Sequence, residues 1–224
     1  MATIQNRQIQ RAQYGEQPKL LTDEIVIEEP LEIRLNGKPV SVTMRTPDHD
    51  DELAVGFLVS EGIVSDADDL LRIETSTSNE RRNIVNVILD PDIEVDTDRM
   101  TRHGLSAPSG DLTGSTAVDA TRNNFAPIRG PRVTVPASIL RSLPRKMRHA
   151  QRIFEHTGGL HAAAIFDQFG QMMVVREDIG RHNAVDKVIG YGLLNELFPF
   201  ARHILLTSGR ASFEIMQKAL AAGV

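Results

Sequence analysis

Residues 161–190 read HAAAIFDQFGQMMVVREDIGRHNAVDKVIG, and this stretch decides the fold. Its two largely apolar runs, residues 161–166 and 172–178, flank a turn-forming segment at residues 167–170. A strand, a turn and a second strand in direct succession predict a β-hairpin. From near Gly180, apolar residues recur at the spacing of one helical face, so the hairpin is predicted to lead into a helix.

The chain continues with a further strand and helix. Residues 203–207, HILLT, form a short apolar run that predicts a strand. A helix is predicted to open at Ser208-Gly209-Arg210 and to run to Ala222. The order hairpin, helix, strand, helix indicates a layered α/β or α+β domain, which we expect to cover residues 132–224.

Ahead of this domain, residues 24–131 are predicted to form a β-rich lobe that also contains a helix. Asn36-Gly37 joins two strand-like stretches, and this dipeptide is the strongest short signal for a hairpin. Thr46 is predicted to cap the helix that follows, with Pro47 at its first position. Residues 84–89, IVNVIL, predict another strand.

Three segments have less regular patterns. Residues 1–23 are polar and aperiodic, so we expect a loose tail or an edge extension. Residues 97–131 are rich in Gly, Ser, Thr, Pro and Asn and predict a flexible loop. Residues 135–152 predict a helix interrupted near Pro144. Its basic face, which would most often be simply solvated, consists of Arg141, Arg145, Lys146 and Arg148.

The composition excludes several classes of function. A formal net charge of -5 provides no general attraction for nucleic acid or an anionic membrane. The sequence has no apolar run of about 18 residues and no secretory signal at its amino terminus, which favours a cytoplasmic protein. It contains no cysteine, so thiolate metal sites and thiol nucleophiles are excluded.

Two predicted helix starts place a glycine beside an arginine. They are Gly180-Arg181-His182, after Asp178, and Ser208-Gly209-Arg210. The free N–H groups of a helix start and a guanidinium group both bind phosphate well. Taken singly, each segment is explained by helix capping, with its arginine paired to Glu177 or Glu214. Because both follow strands of one short unit, together they predict an anion-binding site.

A third cluster, His156, Thr157, Gly158, Gly159 and His161, precedes the first strand of the hairpin. A single histidine at such a place is more often structural than a ligand. Together with His182 the cluster would supply proton transfer or ligand contacts. No metal site is predicted, because the sequence has neither cysteine nor an H-x-x-x-H pair. A serine hydrolase is not indicated either, since no G-x-S-x-G motif occurs.

Four blocks of the sequence, taken together, resemble the FdhD family of formate dehydrogenase accessory proteins. The blocks are residues 45–63, 154–167, 175–190 and 208–224. The resemblance implies a cytidine-deaminase-like α/β/α layered domain with an N-terminal β-rich lobe. Where a deaminase carries its zinc-binding motifs, this chain has His182-Asn183-Ala184 and Ser208-Gly209-Arg210, so zinc-dependent deamination is not expected.

The resemblance also implies a function, namely sulfur transfer from a cysteine desulfurase to the bis-guanine-dinucleotide molybdenum cofactor. The catalytic subunit of formate dehydrogenase then receives this cofactor. The implied partners are therefore the desulfurase and the dehydrogenase, with a homodimer as a third possibility, and GDP would mimic part of the cofactor. No directly bound metal is expected. The expected cofactor-binding residues are Gly158, Gly159, His161, Gly180, Arg181, His182, Ser208, Gly209 and Arg210.

The family carries sulfur as a persulfide on two loop cysteines, which align here with Gly110 and Thr113. Neither side chain can form a persulfide. The family pattern also continues past Val224, so we expect the α/β domain to be short at its C-terminus. Two alternatives stay open. One is a cysteine-free protein that binds the cofactor or the apoenzyme without sulfur transfer, and the other is a zinc-free hydrolase with the deaminase fold.

Overall fold

The computed structural model describes residues 3–75, 83–93 and 133–224. These residues form three β-sheets and five α-helices. The strands are β1 (Ile4–Arg11), β2 (Lys19–Val26), β3 (Glu29–Leu35), β4 (Lys38–Arg45), β5 (Leu70–Thr75), β6 (Ile84–Leu89), β7 (His161–Asp167), β8 (Met172–Asp178) and β9 (His203–Thr207). The helices are α1 (Asp50–Ser60), α2 (Ala137–Ala150), α3 (Arg152–Thr157), α4 (Arg181–Leu194) and α5 (Phe213–Ala221).

The C-terminal sheet has the order β8-β7-β9, and both neighbours run antiparallel to the central β7. Alternation along β7 gives the sheet two buried faces. Ala162, Ala164 and Phe166 pack with Leu143 and Met147 of α2. The alternate residues Ala163 and Ile165 face the other side of the sheet and belong to the same hydrophobic core as the buried residues of α4. Helix, sheet and helix therefore form three layers, and the predicted mixed α/β class is confirmed.

The N-terminal sheet has the order β4-β3-β6-β5, in which β3 and β6 are parallel and the other pairs antiparallel. The predicted hairpin turn is confirmed: Asn36 and Gly37 both have positive φ, at 49° and 82°. The sheet's buried side chains, such as Leu31 and Ile33, belong to the same core as α1, α4 and part of β7. One continuous core thus joins the β-rich lobe to the α/β domain.

Helices α1 and α4 pack closely in the centre of this core. A Cβ atom at Gly56 of α1 would overlap the backbone carbonyl of Asp186, and one at Gly190 of α4 would overlap that of Glu52. Each helix therefore presents a glycine at the point where the other helix's backbone passes. This close approach fixes α4, and with it the residues that open α4 at the end of β8.

Residues 1–23 differ from the predicted polar tail. Residues 4–11 and 19–26 pair over their whole length as the antiparallel hairpin β1–β2. Most of their side chains are exposed on both faces. A strand that buries neither face needs no alternation of apolar and polar residues, so the sequence carries no periodic signal for it.

Two predicted helix starts are wrong. Helix α1 begins at Asp50, because Asp48 and His49 have positive φ angles, at 123° and 55°, that a right-handed helix excludes. Thr46 does not cap α1; its hydroxyl accepts a hydrogen bond from the Ile179 backbone N–H at 3.2 Å. The last helix begins at Phe213 and not at Ser208.

No helix begins at Ser208 because this residue is bonded to a strand that is remote in sequence. The Ser208 backbone N–H donates to the Ala162 carbonyl, and the Ala162 N–H donates to the Ser208 hydroxyl oxygen, both at 2.9 Å. Ser208 thereby extends the β7–β9 pairing by one residue. The helix therefore begins only after Ser212, which is its N-cap.

The predicted break at Pro144 is also wrong, because α2 is continuous from Ala137 to Ala150. Pro144 lies on the exposed side of the helix. The Leu140 carbonyl, which loses its helical donor to the proline, belongs to a residue that is 45% exposed, so water can replace that donor. None of the described helices has the length and hydrophobicity needed to cross a bilayer.

Candidate functional site

One edge of the C-terminal sheet collects most of the predicted site residues. The first residue of β7, His161, pairs with the last residue of β8, Asp178. The last residue of β9, Thr207, pairs with Ala163 near the start of β7. Since β7 runs antiparallel to both neighbours, the segments that follow β8 and β9 emerge beside each other. The predicted proximity of these two segments is confirmed.

An open cleft of about 470 Å³ lies at this edge. Four of the predicted residues line it, namely Gly158, Gly159, His161 and Ser208. The opposite wall comes from the α2–α3 junction and includes Arg148, Gln151 and Phe154. Ile179, which precedes α4, lines the cleft as well. The structure thus joins two of the sequence clusters in one concave surface.

His161 and Ser208 form a polar pair at this edge of the sheet. The His161 Nδ1 and Ser208 Oγ atoms are 3.3 Å apart, within hydrogen-bond distance. The Ala162 backbone N–H holds the same hydroxyl oxygen. The Ser208 hydroxyl is therefore held at the sheet edge, with an imidazole beside it that can donate or accept a hydrogen bond.

A second group lies around the first turn of α4. The Arg181 side chain packs on the backbone of Gly209, where an added Cβ would come within 3.0 Å of it. Arg181 Nε is buried and has no hydrogen-bond partner among the described residues. The His182 Nε2 and Ser212 Oγ atoms are 3.5 Å apart. This group holds an unsatisfied donor of positive charge, which an anionic oxygen would satisfy.

Burial and two nearby positive charges favour the neutral form of the His182 imidazole. Burial lowers its pKa below the ordinary value for histidine, and the positive charges of Arg181 and Lys218 lower the pKa further. Asp186 and Glu214 oppose this shift without cancelling it. A neutral His182 can both donate and accept a hydrogen bond, which a charged one cannot.

The ion pairs expected from the alternative explanation of the two arginines are not formed within the described part of the chain, although the Arg181 charge acts on the Glu214 carboxylate. Neither Arg181 nor Arg210 forms an ion pair there with Glu177 or Glu214. The Glu177 carboxylate instead accepts hydrogen bonds from the Ile153 and Phe154 backbone N–H groups at the start of α3. Arg210 itself is exposed and does not line the cleft.

Two predicted glycines have structural roles. Gly180 packs against Asn183, since an added Cβ would lie 2.8 Å from its amide nitrogen. Gly158 ends α3 with a φ of 66°, a backbone conformation that glycine adopts readily. Their occurrence is thus explained by packing and backbone conformation, without any ligand.

Sequence reasoning missed the buried ion pair that supports this edge. Lys187 Nζ lies 2.7 Å from the Asp178 carboxylate, and both side chains are essentially inaccessible to solvent. The same carboxylate accepts from the Gly180 and Thr46 backbone N–H groups and from the Asn183 amide. The sequence contains one signal of this pair, because Lys187 lies between the apolar residues Val185 and Val188. A helix that buries these valines brings the Lys187 ammonium group into the core or to its edge.

The cleft wall also holds a stacked pair that the sequence did not indicate. The Arg148 guanidinium lies 4.5 Å from the centre of the Phe154 ring. The structure therefore presents a flat cationic group at the mouth of the cleft. Gly110 and Thr113, the positions that match the family cysteines, lie outside the described residues, as does the whole segment 97–131. The described residues contain no group of three or more side chains arranged to hold a metal ion.

With this fold and this sheet-edge site, the chain belongs to the FdhD/NarQ family, whose model matches residues 26–224. It is 46% identical over 209 residues to the sulfur carrier protein FdhD of Streptomyces coelicolor, covering 90% of this chain and 74% of the relative. The sulfur carrier protein FdhD of Mycobacterium tuberculosis is 46% identical over 210 residues, with 89% and 76% covered.

A solved structure agrees with the fold. A crystal structure from Desulfotalea psychrophila, assigned as a formate dehydrogenase accessory protein, superimposes with a TM-score of 0.78 at 22% sequence identity. The match covers 99% of this chain and 81% of the other. At this identity the likeness supports the shared fold.

Proposed function

We propose that this protein is an accessory protein for formate dehydrogenase, the role assigned to the solved structure from Desulfotalea psychrophila, and that it shares this role with relatives named sulfur carrier protein FdhD. The observation that carries the proposal is the 46% identity, over 90% of the chain, to a sulfur carrier protein FdhD. The family match includes all the described residues of the sheet-edge site.

The ligand that we propose for the sheet edge is the bis-guanine-dinucleotide molybdenum cofactor, handled as cargo. The buried Nε of Arg181, which has no partner among the described residues, supports a phosphate beside the start of α4. The open cleft of about 470 Å³ has the size of a small-molecule site, so it would hold one guanine nucleotide of this cofactor and not the whole of it. At its mouth the planar Arg148 guanidinium can stack on a guanine ring. His161 and Ser208 would add hydrogen bonds to the same ligand.

Calorimetry with GDP tests this site. A charge-assisted hydrogen bond is worth about 1.5–3 kcal/mol, so Arg181→Ala should weaken GDP binding roughly tenfold or more. Arg210→Ala should have a smaller effect, because this side chain is exposed and a charge contact made in water is weaker. Arg7→Ala, on the exposed face of β1, removes the same charge and serves as control. Equal binding by the wild type and Arg181→Ala would place the phosphates elsewhere.

The second candidate is an accessory protein that binds the cofactor or the apoenzyme without carrying sulfur. The absence of cysteine from all 224 residues favours it, because a persulfide requires a thiol. At the positions that match the family cysteines the chain has Gly110 and Thr113, and a threonine hydroxyl is a poor nucleophile near neutral pH.

Labelling with a cysteine desulfurase and [³⁵S]cysteine separates the two candidates. The wild-type chain should acquire no label that a reductant releases, whereas Gly110→Cys combined with Thr113→Cys should acquire it. Gly15→Cys, at an open turn of the β1–β2 hairpin, controls for nonspecific labelling of any thiol. Reducible label on the wild-type chain would show that it carries sulfur without cysteine.

Four finer features of the proposal rest on the family resemblance. We propose that the layered C-terminal domain is of the cytidine-deaminase type, which the β8-β7-β9 order with helices on both faces supports. We further propose a cysteine desulfurase as the sulfur-donating partner, a homodimer as the assembly and the cytoplasm as the location.

A further inference from the structure

The outer face of α2 carries a row of arginines. Arg141, Arg145 and Arg148 follow each other at intervals of four and three residues, so they share one side of the helix. Leu143 and Met147 occupy the opposite side and are buried against the C-terminal sheet. All three arginines are exposed. We refer to them as the arginine stripe.

The stripe has no acidic partner within the described part of the chain. None of its three guanidinium groups forms an ion pair there, and α2 itself contains no aspartate or glutamate. In the sequence, no acidic residue occurs between Asp119 and Glu155. The neighbouring Lys146 differs, because its ammonium group donates to the Gly170 carbonyl and so belongs to the fold.

This arrangement is unfavourable for the isolated protein. Like charges at intervals of three and four residues repel each other along a helix and reduce its stability. The net charge of the chain is -5, so the stripe is a local exception to an acidic surface. An acidic surface placed on the stripe would remove the repulsion, and guanidinium forks match carboxylates in geometry.

The stripe ends at the cleft. Arg148 belongs both to the stripe and to the cleft wall, where it stacks on Phe154. A molecule that binds along the stripe would therefore lie beside the mouth of the cleft. This position suits the protein that receives the cargo.

We propose that the arginine stripe docks an acidic surface of the formate dehydrogenase catalytic subunit and aligns it with the cleft. The identity of the partner rests on the proposed function, whereas the acidic chemistry rests on the stripe alone. A protein fits better than nucleic acid, because the stripe spans only about 10 Å of helix and the rest of the chain carries net negative charge.

A charge-reversal experiment tests the docking surface. Arg141→Glu with Arg145→Glu reverses two exposed charges that do not line the cleft. Arg7→Glu with Arg11→Glu changes the net charge equally on β1 and serves as the matched control. Binding to the apo catalytic subunit is followed by biolayer interferometry at low and high salt, after circular dichroism has verified that both variants are folded.

The stripe variant should bind about tenfold more weakly at low salt, mainly through slower association, and should lose most of the salt dependence. The control should bind like the wild type. Equal loss in both variants, no loss in either, or no binding of the wild type to the subunit would overturn the proposal. So would stripe-dependent binding of a labelled DNA duplex in place of the subunit. GDP calorimetry on the stripe variant distinguishes the docking proposal from the cofactor-site proposal. If this variant binds GDP like the wild type but does not bind the subunit, only docking depends on the stripe.

Discussion

At the scale of single residues, the buried pair of Lys187 and Asp178 organises the candidate site. The pair connects the middle of α4 to the end of β8, and the Lys187 ammonium group also donates to the Thr46 carbonyl at 2.9 Å. Three chain segments that are remote in sequence thus meet at one ion pair. The Asp178 carboxylate also accepts a hydrogen bond from Gly180, the residue before α4, so the pair contacts the start of this helix.

We expect Lys187→Met to destabilise the protein by about 3–5 kcal/mol, because it leaves the Asp178 carboxylate buried without its counter-charge. Urea denaturation followed by circular dichroism measures the loss. The control is Lys19→Met, which breaks the exposed Lys19–Glu16 pair and should cost no more than about 1 kcal/mol. Similar losses in the two variants would mean that Asp178 is adequately held by its other donors.

His182 gives a pH dependence with a definite sign. Its pKa in the folded protein is lowered, first by burial and then by the Arg181 charge, whereas in the unfolded chain it titrates near 6.5. Below about pH 6.5 the unfolded chain therefore binds the additional proton, so the free energy of unfolding falls as the pH falls, until the folded pKa is reached. His182→Gln lacks this contribution.

Unfolding curves between pH 8 and pH 5 should show the wild type losing stability relative to His182→Gln as the pH falls. His149→Gln, on the exposed side of α2, corrects for the general effect of losing an imidazole. A constant difference between the wild type and His182→Gln across this range would contradict the assigned environment of His182.

At the scale of elements, the contact between α1 and α4 sets the position of the site. A side chain at Gly56 or Gly190 meets backbone atoms of the facing helix, which cannot rotate away. Overpacking of this kind typically costs about 1–3 kcal/mol, and backbone contact places these positions at the upper end. We expect Gly190→Ala to destabilise the protein by about 3 kcal/mol and to weaken GDP binding through movement of α4.

The control for Gly190→Ala is Gly15→Ala, at a turn with nothing within 4 Å of the added Cβ. Its cost is limited to a left-handed backbone conformation, about 1–2 kcal/mol, and GDP binding should be unchanged. Thermal unfolding and calorimetry report both quantities. Wild-type stability of Gly190→Ala would show that the two helices are farther apart than described.

The elements that the sequence predicts correctly are those with local signals. Asn36-Gly37 requires two positive φ angles, and residues 84–89 alternate in burial, so the turn and the strand follow from neighbouring residues. The wrong predictions depend on remote partners. Ser208 continues β9 because Ala162 lies opposite it and donates to its hydroxyl. The Thr46 hydroxyl accepts a hydrogen bond from Ile179 and therefore does not cap α1.

At the scale of the whole molecule, the candidate site is formed where distant segments meet. Sequence reasoning identified Arg181 and Ser208 because they lie beside glycines that follow predicted strands, and His161 because it lies beside glycines that precede one. It could not place Arg148 at the cleft or Lys187 beneath it. The position of Arg148 depends on the packing of helices against the sheet, which no local pattern encodes, whereas for Lys187 the sequence indicates a charge on an apolar helix face but not its partner Asp178. The residue chemistry alone predicted only that the protein binds an anion. The biological role was predicted from the family resemblance.

The most direct test of the central claim is formate dehydrogenase activity in a bacterial strain deleted for its own FdhD-type accessory gene. Expressing this chain should restore activity above the empty vector, and Arg181→Ala should restore less at the same protein level. Immunoblotting verifies that level. Activity no higher than the empty vector, with the wild-type chain folded and present, would contradict the claim that this chain is an accessory protein for formate dehydrogenase.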